Sequence, residues 1–187
     1  HLNYTNISAS DSLPVPISLN YLDTITVVEP NNENRLQINL NFTDPAKSQN
    51  FYLVETYVVR ASLTTINQDT LEYELDTIKQ RMILTDVVFQ NNGFKSRDEQ
   101  GLFTDLLFNG QNKNLEIKIP PLKKDYVFNG NGKINSEKTL SLTLYLHNIS
   151  KSYYYYRTSL ELYVDASINP FSQPVQVFSN VNNGFGI

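Results

Sequence analysis

Leu36-Gln37-Ile38-Asn39-Leu40-Asn41-Phe42 alternates apolar and polar residues without a fault, which predicts a strand with Leu36, Ile38, Leu40 and Phe42 on one buried face. Thr139 to His147 repeats the pattern: Leu140, Leu142, Leu144 and Leu146 face one way, and Ser141, Thr143, Tyr145 and His147 the other. Leu115-Glu116-Ile117-Lys118-Ile119 alternates as well and stops at Pro120-Pro121, since proline donates nothing to a ladder. Phe51 to Val59 is apolar on both faces. Because Asp44 to Asn50 is rich in turn formers, this stretch reads as the return strand of a β-hairpin with a long loop. Shorter strands are predicted at Asp23 to Val28, Arg81 to Phe89 and Val175 to Phe178. Residues 60–80 leave two readings open, because Leu71, Leu75 and Ile78 have helical spacing whereas Thr64-Thr65-Ile66 is extended in type.

One helix is predicted, over about residues 150–165, with Ser150 or Ser152 as its N-cap. Tyr153, Tyr156, Leu160 and Val164 form its apolar stripe, and Asn169-Pro170 ends it. The first twenty residues carry Ser, Asn and Pro without a sustained period and read as an extended arm or linker, ordered only by docking. No repeat and no linker interrupts the rest. The expected organisation is therefore an arm over 1–20 and a single domain over 21–187, all-β in class: an antiparallel β-sandwich with one late α-helix.

Composition supports that class, since 23 Asn and 4 Ala stand beside 12 Tyr and 10 Phe, a mix poor in helix formers. The 187 residues suffice for one domain with its own core. With 0 Cys and 2 His there are no disulfides, thiolate zinc sites, cysteine nucleophiles or multi-histidine cages. A net charge of -4 argues against a duplex nucleic-acid binder, which needs clustered Lys and Arg. No cofactor and no metal is expected.

The C-terminal stretch is more distinctive. Ser150, the Tyr153 to Tyr156 run, Asn169-Pro170-Phe171, Pro174, Ser179-Asn180-Val181 and Asn183 to Ile187 resemble the end of a Bacteroidota lipoprotein family, domain-of-unknown-function family 4249. Phe103 to Gly110 resembles that family's mid-domain motif, and Asp44-Pro45 to Tyr52 its hairpin. The resemblance implies an outer-membrane lipoprotein, at the cell surface or facing the periplasm, encoded beside a TonB-dependent transporter that it helps to capture or admit a substrate. It implies no catalytic activity, cofactor or ligand. Full-length members begin with a signal peptide, a lipid-bearing cysteine and an N-terminal β-domain, so this chain is expected to be the C-terminal part of such a protein. The expected partners are then the transporter and the N-terminal domain.

Five residues are candidates for binding: Tyr154, Tyr155, Tyr145, His147 and Phe171. Successive helical residues lie about 100° apart, so four tyrosines in a row sweep most of the helix surface and cannot all face one core. The stripe turns Tyr153 and Tyr156 inward, which leaves Tyr154 beside Thr158 and Glu161, and Tyr155 at the flank, each offering a flat ring and a hydroxyl to a sugar or a protein. The competing reading packs both against another element. His147 shares a strand face with Tyr145, which suits a His-Tyr or His-carboxylate pair, against the simpler role of a local hydrogen bond. Phe171 lies in a turn-rich segment, where a plug at the end of the sandwich is the ordinary role. A structural or adhesive spacer is the alternative function. Ranked last is a hydrolase using Asp98, Glu99 or Asp105.

Overall fold

A computed structural model of the chain describes residues 7–30, 34–67, 70–89, 101–122, 128–130, 133–168 and 173–182. It is an antiparallel β-sandwich with a single late helix among the described residues. Sheet I has the order β2 (Ser18–Val28), β3 (Asn34–Thr43), β7 (Asn112–Ile119). Sheet II is built on β4 (Phe51–Asn67), which pairs along one edge with β9 (Lys133–Ile149) and along the other with β6 (Gly101–Thr104) and then β5 (Thr70–Lys79). Beyond β9 lies β8 (Phe128–Gly130), while β1 (Ser8–Ala9) pairs with β10 (Val181–Asn182).

The period-two pattern is satisfied between the sheets. Ile38, Leu40 and Phe42 of β3 and Leu115, Ile117 and Ile119 of β7 are buried against Tyr52, Val54 and Val58 of β4 and Phe103 of β6, with Leu142, Leu144 and Leu146 of β9 alongside. Thr56 is the polar residue on this inner face of β4, and the chain leaving β5 satisfies it. Its hydroxyl donates to the carbonyl of Gln80 at 2.9 Å, and its own carbonyl accepts the Gln80 N–H at 2.7 Å. From there the backbone crosses to the edge of sheet I, where Ile83 and Lys118 exchange both hydrogen bonds. Opposite the core, sheet I carries Asn and Gln: Gln37 bonds Asn39, and Asn20 bonds Asn41.

Several sequence expectations change. β3 and β4 do not form a hairpin; they lie in different sheets, and Asp44 to Asn50 is an arch between them. Phe42 and Tyr52 meet across it edge to face at 5.3 Å. Residues 60–67 and 70–79 are extended, as the end of β4 and the whole of β5. Arg81 to Phe89 is not a strand but a single bridge at Ile83 and a 3₁₀ turn at Val87–Phe89. Val175 to Phe178 pairs with no strand among the described residues; Phe178 instead donates its N–H to Ser159 Oγ on the helix. Leu140 stays 49% exposed, because the β4–β9 register shifts between Val59 and Arg60 and leaves Leu140 as the extra residue of a bulge. The strand β2 starts at Ser18, within the stretch read as an arm.

A buried polar joint ties the arch to the turn after β6. Asp44 accepts a very short hydrogen bond from the Tyr52 hydroxyl and one from the Gly110 N–H at 2.7 Å. Gly110 has φ 73, and a Cβ there would come 2.7 Å from that of Ala46, so glycine is required twice over. Asp105, fully buried, accepts the Asn50 N–H at 2.7 Å, and the Asn50 side chain caps the carbonyls of Pro45 and Ser48. The two stretches that carry the family resemblance ahead of the C-terminal one are thus the two halves of one structural joint.

Burial raises the Asp105 pKa, and the nearby Asp44 charge adds to the rise against the opposing Asn50 hydrogen bonds. Its second oxygen, Oδ1, is buried with no hydrogen-bond partner among the described residues. A raised folded value means that the Asp105 contribution to stability is fully present below the unfolded value of 3.8 and is lost as pH rises through the folded one. Asp105→Asn removes this titration. The stability of the native chain relative to the variant is therefore expected to fall between acid and neutral pH in urea titrations; a difference independent of pH would contradict the assignment.

Candidate functional site

The outward face of sheet II presents the odd-numbered residues of β4, and cross-strand pairing sets their neighbours: Leu53 opposite His147, Glu55 opposite Tyr145, and Phe51 opposite Ile149. Helix α1 (Lys151–Ile168) starts directly after β9. Ser150 is its N-cap, its Oγ accepting the Tyr153 N–H at 3.1 Å. Because the chain turns sharply there, the first helical turn lies back on the sheet, and Tyr154 packs with Phe51, Leu53 and Leu102.

The N-terminal arm returns over the same region. Asp11 accepts a hydrogen bond from the Ser150 hydroxyl and another from its neighbour Ser12 N–H at 2.9 Å. Asn148 Nδ2 donates to the Val15 carbonyl at 2.6 Å, and Asn180 Nδ2 to the Ser10 carbonyl at 3.1 Å. Between arm, sheet and helix start lies an open cleft of about 600 Å³. Ser12, Leu13 and Pro14 line the arm side. Leu53, Glu55, His147 and Ile149 form the floor, and Ser152 and Tyr153 the helix side.

Glu55 is the one charged residue of Phe51 to Val59 and faces a cation on the adjoining strand: Lys79 Nζ lies 2.7 Å from Oε1. Its other oxygen, Oε2, is 3.7 Å from His147 Nε2, and the His147 ring stacks on Tyr145 at 5.8 Å and 18°. Tyr57 meets Tyr145 edge on at 5.8 Å. The hydrogen bond from Ser150 lowers the Asp11 pKa, so this carboxyl is held ionised at neutral pH and is unsuited to giving a proton.

The structure thus brings together Tyr145 and His147, supplies the carboxylate that the His-carboxylate pairing called for, and separates the other candidates. Tyr154 is not the outward ring: it is 7% exposed, and burial, with Tyr155 adding a smaller effect, pushes its hydroxyl pKa up to about 12. The tyrosine run has a ring on every side of the helix, so periodicity alone could not say which one the sheet selects. Tyr153 and Tyr156 are half-buried, and Val164 lies exposed because the helix meets the sheet through its first turn. Tyr155 is 40% exposed, but its ring is flanked by Phe51 at 6.0 Å and Phe178 at 5.9 Å, away from the cleft lining. Phe171, Asp98 and Glu99 lie outside the described residues. Asp105 belongs to the buried joint and has no access to a cleft. Sequence reasoning missed Glu55, Asp11 and Tyr153; a lone Glu within Phe51 to Val59 was the one visible signal.

Fold and cleft together define an all-β sandwich domain with an outer-face cleft closed on one side by its own N-terminal arm. The chain belongs to the family described as Domain of unknown function (DUF4249), which it matches over residues 2–187. No curated protein and no solved structure matches it. Among the described residues no helix is long and apolar enough to cross a membrane.

Proposed function

We propose that the chain is a non-enzymatic, ligand-binding part of a longer Bacteroidota outer-membrane lipoprotein, at the cell surface or facing the periplasm. In this reading it captures a ligand for a TonB-dependent transporter, or docks on it. The observation that carries the binding role is the open cleft of about 600 Å³ on the outer face of sheet II, apolar along its walls with a few convergent polar groups. Binding is favoured over hydrolysis because both carboxylates at the cleft are engaged, Glu55 by Lys79 and Asp11 by the helix start. The lipoprotein and transporter parts of the proposal rest on the family resemblance.

Affinity purification of the chain from cells that also express the transporter encoded beside it is expected to recover both. Ser12→Trp, which places an indole in the cleft from the arm side, is expected to reduce uptake through that transporter by about tenfold or more. Unchanged uptake together with no co-purification would sink the proposal.

A spacer role is favoured by one observation. Leu19 and Leu22 of β2 pair with Phe42 and Leu40 and so point to the core side of sheet I, yet both are exposed, as is Val28 at the strand's end. Among the described residues no strand pairs with the far edge of β2. If Leu22→Asp abolishes co-purification while Ser12→Trp leaves uptake intact, the spacer reading replaces ligand capture.

A further inference from the structure

We propose that the outer-face cleft takes a neutral saccharide, an inference that rests on the ligand-capture reading and names its ligand class. Three features of the floor point there. First, charge on the floor is already cancelled within the protein, since Lys79 holds Glu55 Oε1 at 2.7 Å, and the ionised Asp11 on the arm side is taken up by the Ser150 hydroxyl and the Ser12 N–H at the helix start. Second, Glu55 Oε2 and His147 Nε2 are 3.7 Å apart, too far for a direct hydrogen bond. An ammonium only donates and a carboxylate only accepts, whereas a pair of neighbouring hydroxyls does both and satisfies the two groups in either histidine tautomer. A vicinal diol is the group that sugars carry on every ring.

Third, ring surface is available beside those polar atoms. The Tyr153 ring lines the cleft with Leu53 and Ile149, and Tyr145, 47% exposed and just outside the lining, stacks on the His147 ring that belongs to it. A pyranose has apolar C–H faces and a polar rim, so it sets its face on an aromatic ring and turns its hydroxyls to the carboxylate and imidazole. The volume of about 600 Å³ suits a small-molecule ligand, and the open side lets a longer chain run out to solvent.

The test is titration of the ¹⁵N-labelled chain, followed by NMR, with neutral gluco-, manno- and xylo-hexasaccharides, with polygalacturonate and with a mixture of casein peptides. At least one neutral hexasaccharide is expected to shift the amides of Leu53, Glu55, His147 and Ile149. Tyr145→Ala and Glu55→Gln are each expected to weaken that binding by about tenfold, whereas Tyr163→Ala, on the exposed side of the helix, leaves it unchanged. Tyr145 is an exposed strand residue, so its variant is expected to keep the native amide spectrum elsewhere. If peptides or polygalacturonate shift these amides and no neutral sugar does, the saccharide assignment is overturned while ligand capture stands. If nothing shifts them, both are overturned.

Discussion

Asp44→Ala is expected to lower the free energy of unfolding by about 3–5 kcal/mol, because it leaves the buried Tyr52 hydroxyl unpaired, takes the acceptor from the Gly110 N–H and opens a gap in the joint. Asp44 accepts from the Tyr52 hydroxyl and from the Gly110 N–H at 2.7 Å, and both Asp44 and Tyr52 are buried between arch and turn. Burial of the Tyr52 hydroxyl, followed by its bond to Asp44, pushes its pKa strongly upward, so the phenol stays protonated and donates throughout the physiological range. Tyr52→Phe removes one donor and leaves the Gly110 bond in place, so its cost is expected to be smaller, about 1–2 kcal/mol. Urea unfolding of both variants measures the two costs. A change below about 1 kcal/mol for Asp44→Ala would mean that the joint does not hold the sheets together. The consequence reaches the cleft, because the joint sets where β4 begins, and the next outward residues of β4, Leu53 and Glu55, are the cleft floor.

Phe42→Ala is expected to cost a similar amount, about 3–5 kcal/mol, through lost burial and a cavity that cannot close. Phe42 is fully buried among three other rings: Tyr52 at 5.3 Å, Phe108 at 5.8 Å and Phe103 at 6.4 Å. Tyr52 is pinned by Asp44, and Phe103 is carried by β6, so neither can move in to fill the space. For a chain of this length the loss corresponds to a fall in Tm of about 10 °C. Leu140→Ala is the control, since its side chain lies in the bulge and is expected to shift stability by less than about 0.5 kcal/mol. If the two variants melt together, Phe42 does not sit at the centre of the core.

Alternation made most of the inner faces legible. Ile38, Leu40, Phe42, Leu115, Ile117 and Ile119 could be assigned to the core from the chain alone, because a strand with one buried face has no other way to hide a period-two set of apolar residues. Leu140 broke the rule only because a bulge, invisible in a single strand's pattern, turned it outward. The arch between β3 and β4 was misread for a related reason: a turn-rich loop between two strands is the same in sequence whether the strands pair or face each other across a core. Of the cleft, the pairing of Tyr145 with His147 was legible from their shared strand face, but Asp11, Glu55 and Tyr153 come from distant segments.

The amino-acid sequence by itself determined the all-β class, the late helix, the identity of most core residues and the absence of thiol chemistry, since each depends on residue type or on a short local period. Only the tertiary structure decided which tyrosine is buried, which strands share a sheet and where the cleft lies. Those outcomes depend on contacts between residues far apart in the chain: Tyr154 is selected by Phe51 and Leu102, Asp11 is brought to Ser150, and Asp44 is closed by Gly110. A local pattern carries no record of such meetings, because any of several tyrosines or loops has the same composition until a particular surface is placed against it.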